Sequence, residues 1–191
     1  MQPIHAQDIW RSVKGIFLFI VITLCIHFLW KLWALNDYHP FHSLVDFLFA
    51  KLSALAFNQS SVVLKILFPE QLTAESQIFS FAGGDYIIIN SGCSGLKQMV
   101  QYFLLLLIYP GSCLKKIWYI PLGILIIHIT NLIRIVGLGL VLVYFPQYWD
   151  FSHDYLFRPL FYLVIFCLWL YWEEKQKDFH KNTKEKRAIE E

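Results

Sequence analysis

The chain has 191 residues, 57% of them hydrophobic and only 16% charged, with a formal net charge of +2. A mean hydropathy of +0.50 is too apolar for a soluble domain, and so small a net charge argues against a nucleic-acid partner. The composition predicts an all-α integral membrane protein with about four transmembrane helices, an amphipathic helical segment and a short extracytoplasmic β-hairpin. Residues 1–172 are expected to form a single membrane-embedded domain, and residues 173–191 a charged cytoplasmic tail.

Residues 1–14 are a polar lead carrying Arg11 and Lys14. Gly15 to Leu35 is the first expected span, about 30 Å long as a helix. It is long for a signal-peptide core and has no small-residue cleavage site before Asn36-Asp37, so it reads as a retained anchor. His27 inside it reads as an ordinary hydrogen-bonded helix histidine.

Over residues 41–68, Phe41, Leu44, Val45, Leu48, Leu52, Leu55 and Ala56 recur at helical spacing, interrupted by Asp46, Lys51, Gln59 and Lys65. That pattern suits a surface-lying amphipathic helix or a helical pair better than a clean span. Residues 70–76 read as a polar loop. Ile78 to Phe81 and Tyr86 to Asn90, joined by Ala-Gly-Gly-Asp, read as a β-hairpin.

Gly95 to Tyr109 is the second expected span, and Pro110 to Lys116 a turn with two lysines. Ile117 to about Gly137 is the third, its apolar character running on to Phe145. Pro146 to Asp154 reads as a polar-aromatic loop. Phe157 to Trp172 is the fourth span, with Pro159 suited to a helix first turn. The tail from Glu173 reads as solvated and partly disordered. Lysines and arginines at 11, 14, 115, 116 and in the tail fall on one side of four spans, which the positive-inside rule makes cytoplasmic.

The run Asn90-Ser-Gly-Cys-Ser-Gly-Leu-Lys97 stands out. It sets Cys93 at a strand-to-helix turn, where bare backbone N–H groups and the positive end of a helix dipole favour a thiolate. Lys97 can add positive charge one turn on. Gly92 and Gly95 leave the sulfur accessible and permit backbone angles that other residues resist. The competing reading is a small buried cysteine beside a tight turn. Cys25, Cys113 and Cys167 lack this setting and are expected to be inert. The four cysteines show no paired spacing, so no disulfide framework is expected. Neither CxxC nor HExxH occurs, so no metal or other cofactor is implied.

Helical rise links three residues in depth. Cys93 precedes Gly111 by 18 residues and Arg134 follows Lys116 by 18, so each lies about 27 Å above the same turn. His153 precedes Glu173 by 20 residues, about 30 Å. A thiol, a guanidinium and an imidazole are therefore expected to meet near one outer plane. They could divide one reaction: thioester formation, proton transfer and oxyanion stabilisation. The competing reading of Arg134 is an interfacial anchor for its helix, but an arginine inside the apolar run 124–144 is costly and favours function. Asn131 can hydrogen-bond Arg134 or its partner. His128 is a rival base, about 9 Å deeper than Arg134. Arg158 could replace Arg134 or bind an acidic group of the substrate.

Cys-Ser-Gly-Leu at 93–96, Asn-Leu-Ile-Arg-Ile at 131–135 and the Phe-Ser-His-Asp segment at 151–154 resemble the exosortase/archaeosortase family. The resemblance covers roughly residues 60–172 and is nearest the compact exosortases of the Bacteroidetes type. It implies a membrane-embedded cysteine peptidase or transpeptidase of the bacterial inner membrane, with its active site on the extracytoplasmic side. Implied substrates are membrane-anchored proteins carrying a C-terminal motif, a transmembrane helix and a basic cluster. They would be cleaved through a thioester and passed to a surface acceptor. The resemblance makes Cys93 the nucleophile, Arg134 the stabiliser and His153 the base. Asn131, Lys97, Ser94, Gly95 and Arg158 are expected to bind substrate or support these three. Many family members have Glu-Ala before the cysteine; here it is Ser-Gly. The alternatives are a non-enzymatic scaffold or assembly factor of a protein-export system, or a small-solute transporter. Absence of paired broken helices or inverted repeats counts against the last.

Overall fold

The computed structural model describes the backbone of residues 6–190 and the side chains of residues 13–176. It is 78% helical, and four of its helices are long and apolar enough to cross a membrane. The elements in order are α1 (Ala6–Leu35), α2 (His42–Leu67), β1 (Leu72–Glu75), β2 (Ile78–Phe81), β3 (Tyr86–Ile88), a 3-10 turn (Ser91–Cys93), α3 (Leu96–Ile108) and α4 (Cys113–Tyr144). A second 3-10 turn (Pro146–Tyr148), the single turn α5 (Trp149–Phe151) and a π turn (Ser152–Phe157) lead into α6 (Arg158–Glu190). Arg11 and the residues before it, which carry the polar lead, lie outside the described side chains.

One end of the bundle is closed where the α3–α4 turn meets α6. A Cβ on Gly111 would stand 2.6 Å from the Trp172 ring, so only glycine lets the turn approach this closely. Tyr109 donates its hydroxyl to Glu173 Oε2 (3.0 Å), and Lys116 Nζ donates to the carbonyls of Tyr109 (2.7 Å) and Leu107 (3.2 Å). The lysine thereby satisfies end carbonyls of α3 and opposes its negative dipole end. Tyr119 donates to the Leu168 carbonyl at 2.7 Å, tying α4 to α6 nearby. This is the common base from which the depths of Cys93, Arg134 and His153 were counted. A core of Phe19, Tyr102, Leu105, Ile127, Phe161, Ile165 and Trp169 fills the bundle above it.

Five elements differ from expectation. α3 has only 13 residues, about 20 Å, so it is too short to count as a span by length. Gly95, at φ +74°, is its N-cap, and Tyr109 its C-cap, so the helix fills the expected segment to within a residue at each end. By contrast, residues 42–67 form one uninterrupted helix that meets the length and hydropathy requirement of a span. Its polar interruptions are accommodated locally. Asp46 pairs with His42 at 3.1 Å, Lys51 lies 5.6 Å from the centre of the Phe47 ring, and Gln59 bonds His128. Val45, Ser53, Ala56, Ser60 and Leu64 form its buried stripe. Along α4 it touches His128 through Gln59, the Gly139 position through Leu64, and Tyr144 through Phe68, so the two helices run the same way.

Residues 72–75, expected as loop, form a third strand. Leu72 pairs with Phe81 and Glu75 with Ile78, while Ile78 pairs with Ile88 on the other side, giving the antiparallel order β1-β2-β3. Alternation sets the buried face of β2: Phe79 and Phe81 are buried, with Phe79 stacked on Phe57 of α2 at 4.7 Å. The sheet caps a second core with Ile87, Ile89, Ile135, Leu138 and Phe157.

Finally, residues 146–157 are helical turns rather than a loop, and α6 carries helix on through the charged tail to Glu190 instead of ending at Trp172. Pro159 therefore sits inside a continuous helical path. It has no N–H for the Tyr155 carbonyl four residues back, and the wider π turn falls where that bond is missing.

Candidate functional site

Cys93 ends the 3-10 turn that joins β3 to α3. The turn is built by local side-chain bonds. Asn90 Oδ1 accepts from Gly92 N (3.0 Å), Ser94 Oγ donates to Ser91 O (2.7 Å), and Leu96 N donates to Ser94 Oγ (3.2 Å). Asn131, fully buried on α4, donates Nδ2 to the Cys93 carbonyl at 2.6 Å. Gly95 is packed so closely that a Cβ there would lie 3.4 Å from the Asn131 side chain. The polypeptide holding the thiol is thus fixed from three sides, while Cys93 itself stays half-buried with Sγ 4.0 Å from Ile88 O.

Arg134 lies one turn beyond Asn131 on α4 and is 7% exposed. Its guanidinium is 6.0 Å from the centre of the Phe161 ring and close enough to Cys93 for an electrostatic interaction. No carboxylate pairs with it among the described residues, and its Nε has no hydrogen-bond partner there. A buried, unpaired guanidinium is costly to a fold, and the usual compensation is an anionic or carbonyl ligand.

His153 is on the π turn. Its Nδ1 donates to Asp154 Oδ1 at 2.8 Å, and its ring stacks on Trp149 at 6.1 Å with 17° between planes. Asp154 also accepts from Arg158 Nη2 at 3.3 Å. A carboxylate on Nδ1 fixes the tautomer and leaves Nε2 for chemistry.

These three residues line one cleft of ≈ 580 Å³, together with Lys97 and Arg158. Its charged lining is entirely basic: Asp154 is engaged with His153 and Arg158 and is not among the lining residues. The site lies partway along α4, which continues ten residues past Arg134 to Tyr144. The sheet, the C-terminal half of α2 and the π turn surround that projecting part, so the cleft is recessed between them rather than lying at the tip of the bundle.

Other expected residues take different places. Ser94 and Gly95 are buried and build the turn without lining the cleft; they border a smaller cavity beside Trp30, Tyr38 and Phe49. Asn131 likewise supports the cleft from behind. His128, the rival base, is held by Gln59 Oε1 at 2.6 Å and does not line the cleft. Cys25, Cys113 and Cys167 are exposed elsewhere, unbonded to one another. His27 and Tyr162 were not expected at the site, yet both line it, with Tyr162 Oη 3.2 Å from His27 Nδ1. A histidine in an apolar helix was the available signal; what it lacked was the position of α1 beside α3. No group of three or more possible metal ligands occurs among the described residues.

No family model, curated protein or solved structure matches the chain. The functional reading therefore stands on the chemistry of the cleft and on the short motifs around Cys93, Arg134 and His153.

Proposed function

We propose that the cleft is the active site of a membrane-embedded, exosortase-like cysteine peptidase or transpeptidase. The observation that carries this reading is the convergence of Cys93, Arg134 and His153, from three separate segments, on one recessed cleft. In the first step the Cys93 sulfur attacks a peptide carbonyl, with Arg134 stabilising the oxyanion. His153 Nε2 accepts the thiol proton and returns it to the departing amine, with Asp154 holding the ring. The C–N bond breaks and a thioester to Cys93 forms. An amine or water then releases the acyl group and regenerates the thiol.

Burial of Arg134 strengthens its charge interactions relative to water. The substrates on this reading are exported proteins held in the bilayer by a C-terminal motif, transmembrane helix and basic cluster, handed to a surface acceptor. The bilayer is the bacterial inner membrane, with the cleft on the extracytoplasmic side and Lys115 and Lys116 on the cytoplasmic side. Expression of Cys93→Ala in place of the native chain tests the reading. It should leave a folded membrane protein and unprocessed substrate that retains its C-terminal signal. Normal processing would instead support the scaffold or assembly-factor alternative.

A further inference from the structure

We infer that His27, positioned by Tyr162, is a second acid–base group of the cleft and serves release of the acyl group from Cys93. The inference rests on the thioester reading above and assigns a residue to its second half. His27 comes from α1, whereas His153 comes from the π turn packed on α4, so two imidazoles reach one cleft from different walls. Their settings are alike. Each ring is held through Nδ1, His153 by the Asp154 carboxylate at 2.8 Å and His27 by the Tyr162 hydroxyl at 3.2 Å. In each case Nε2 has no partner among the described residues.

Asp154, Arg158 and Tyr162 recur at four-residue spacing, so one side of the last helical segment carries the partners of both imidazoles. His27 is half-buried in the largely apolar part of α1, with Thr23 one turn before it and Lys31 one turn after, and Phe28 beside it is 61% exposed.

The chemistry has two proton transfers with different geometry. Thioester formation delivers a proton to the amine that leaves. Release requires removing one from the nucleophile that arrives, after the leaving peptide has vacated part of the cleft. With Nδ1–H donating to Tyr162 Oη, His27 Nε2 accepts that proton. For a primary amine acceptor, its nitrogen bonds to the acyl carbon and the carbon–sulfur bond breaks. The proton taken by His27 passes to the departing Cys93 sulfur, leaving an amide and a free thiol. With water, the same exchange gives a carboxylic acid. Tyr162 Oη accepts from the imidazolium while the proton resides on it, making Tyr162 a positioning residue.

The test uses the full-length protein in detergent with p-nitrophenyl acetate, which acylates a reactive thiol without needing a protonated leaving amine. The burst of nitrophenolate reads acylation of Cys93, with Cys93→Ala as the blank; the steady rate reads release to water or to added glycinamide. His27→Gln should keep the burst and lower the steady rate by about 10²-fold, within the usual range for a general base. Tyr162→Phe should lower it about tenfold, a partial loss of the same kind. Hydroxylamine attacks without a strong base and should restore release in His27→Gln. A retained burst with an unchanged steady rate would remove His27 from the reaction. Loss of the burst in both variants would make the pair structural and also overturn the inference. No Cys93-dependent burst in the unmodified protein would instead overturn the thioester reading itself. Glycinamide and water arms distinguish the two classes of acceptor.

Discussion

Asn131 on α4 donates its side-chain amide to the Cys93 carbonyl across 2.6 Å, from a fully buried position. This bond joins the helix that carries Arg134 to the turn that carries the thiol. The Asn-x-x-Arg spacing then has a physical reason: one residue fixes the nucleophile's backbone, and the next turn of the same helix presents the guanidinium. Losing a hydrogen bond at a buried carbonyl costs about 1–3 kcal/mol. Asn131→Leu should therefore slow Cys93 acylation about tenfold or more while leaving the thiol present. The p-nitrophenyl acetate burst rate checks this, and an unchanged rate would detach Asn131 from the site.

Gly95, two residues on from Cys93 in the same turn, faces the same side chain. Its φ of +74° is strained for residues with a Cβ by roughly 1–2 kcal/mol. An added Cβ would also sit 3.4 Å from Asn131. Gly95→Ala should destabilise the protein by about that amount and slow acylation. Because the two positions touch, the effects of Gly95→Ala and Asn131→Ala on acylation should be non-additive. A double-mutant cycle on burst rates checks the coupling; simple additivity would show that the two act separately.

Arg134 carries a trade between stability and activity. It is buried without a carboxylate partner among the described residues, so its charge opposes folding. Arg134→Met retains volume and removes the charge. Its midpoint of thermal unfolding in detergent should rise or stay level, while Cys93-dependent acylation falls about 10²-fold or more. Arg134→Lys keeps charge but loses the planar fork, so it should recover only part of the activity. A marked fall in thermal stability for Arg134→Met would assign the arginine to structure.

Convergence can also be read without catalysis. Cys93 and a cysteine placed by His153→Cys should be joined by a short dithiol-reactive cross-linker, because both side chains line one cleft. Placing the second cysteine by His128→Cys should give little cross-linking, since His128 faces Gln59 on α2. Mass spectrometry of the linked peptides distinguishes the pairs. Equal yields would show that the cleft is not a closed meeting point.

Much of this arrangement was legible because helical rise is regular. Counting 18 residues from Gly111 to Cys93 and from Lys116 to Arg134 relies only on two helices sharing a turn, and the Gly111–Trp172 contact makes α6 share it too. The hairpin strands Ile78–Phe81 and Tyr86–Ile88 were readable from alternation and the glycine turn. β1 was not, because Leu-Thr-Ala-Glu gains its strand character from pairing with β2, a tertiary effect. Residues 42–67 misled for a similar reason: Gln59 reads as an interruption until its His128 partner on α4 is known. The turns at 146–157 were hidden by Pro146 and Pro159, which mark breaks in isolated helices but are absorbed here by 3-10 and π geometry. His27 reads as an ordinary helix histidine because sequence places it in a span but cannot say which face of α1 meets the cleft.

The most direct measurement is the mass and location of the acyl group after brief exposure of the full-length protein to p-nitrophenyl acetate. The expected result is a single hydroxylamine-labile acetyl group on Cys93, lost in His153→Ala and strongly reduced in Arg134→Ala. Acetylation spread equally over Cys25, Cys93, Cys113 and Cys167, or acetylation of Cys93 indifferent to both substitutions, would contradict a shared thiol–imidazole–guanidinium site.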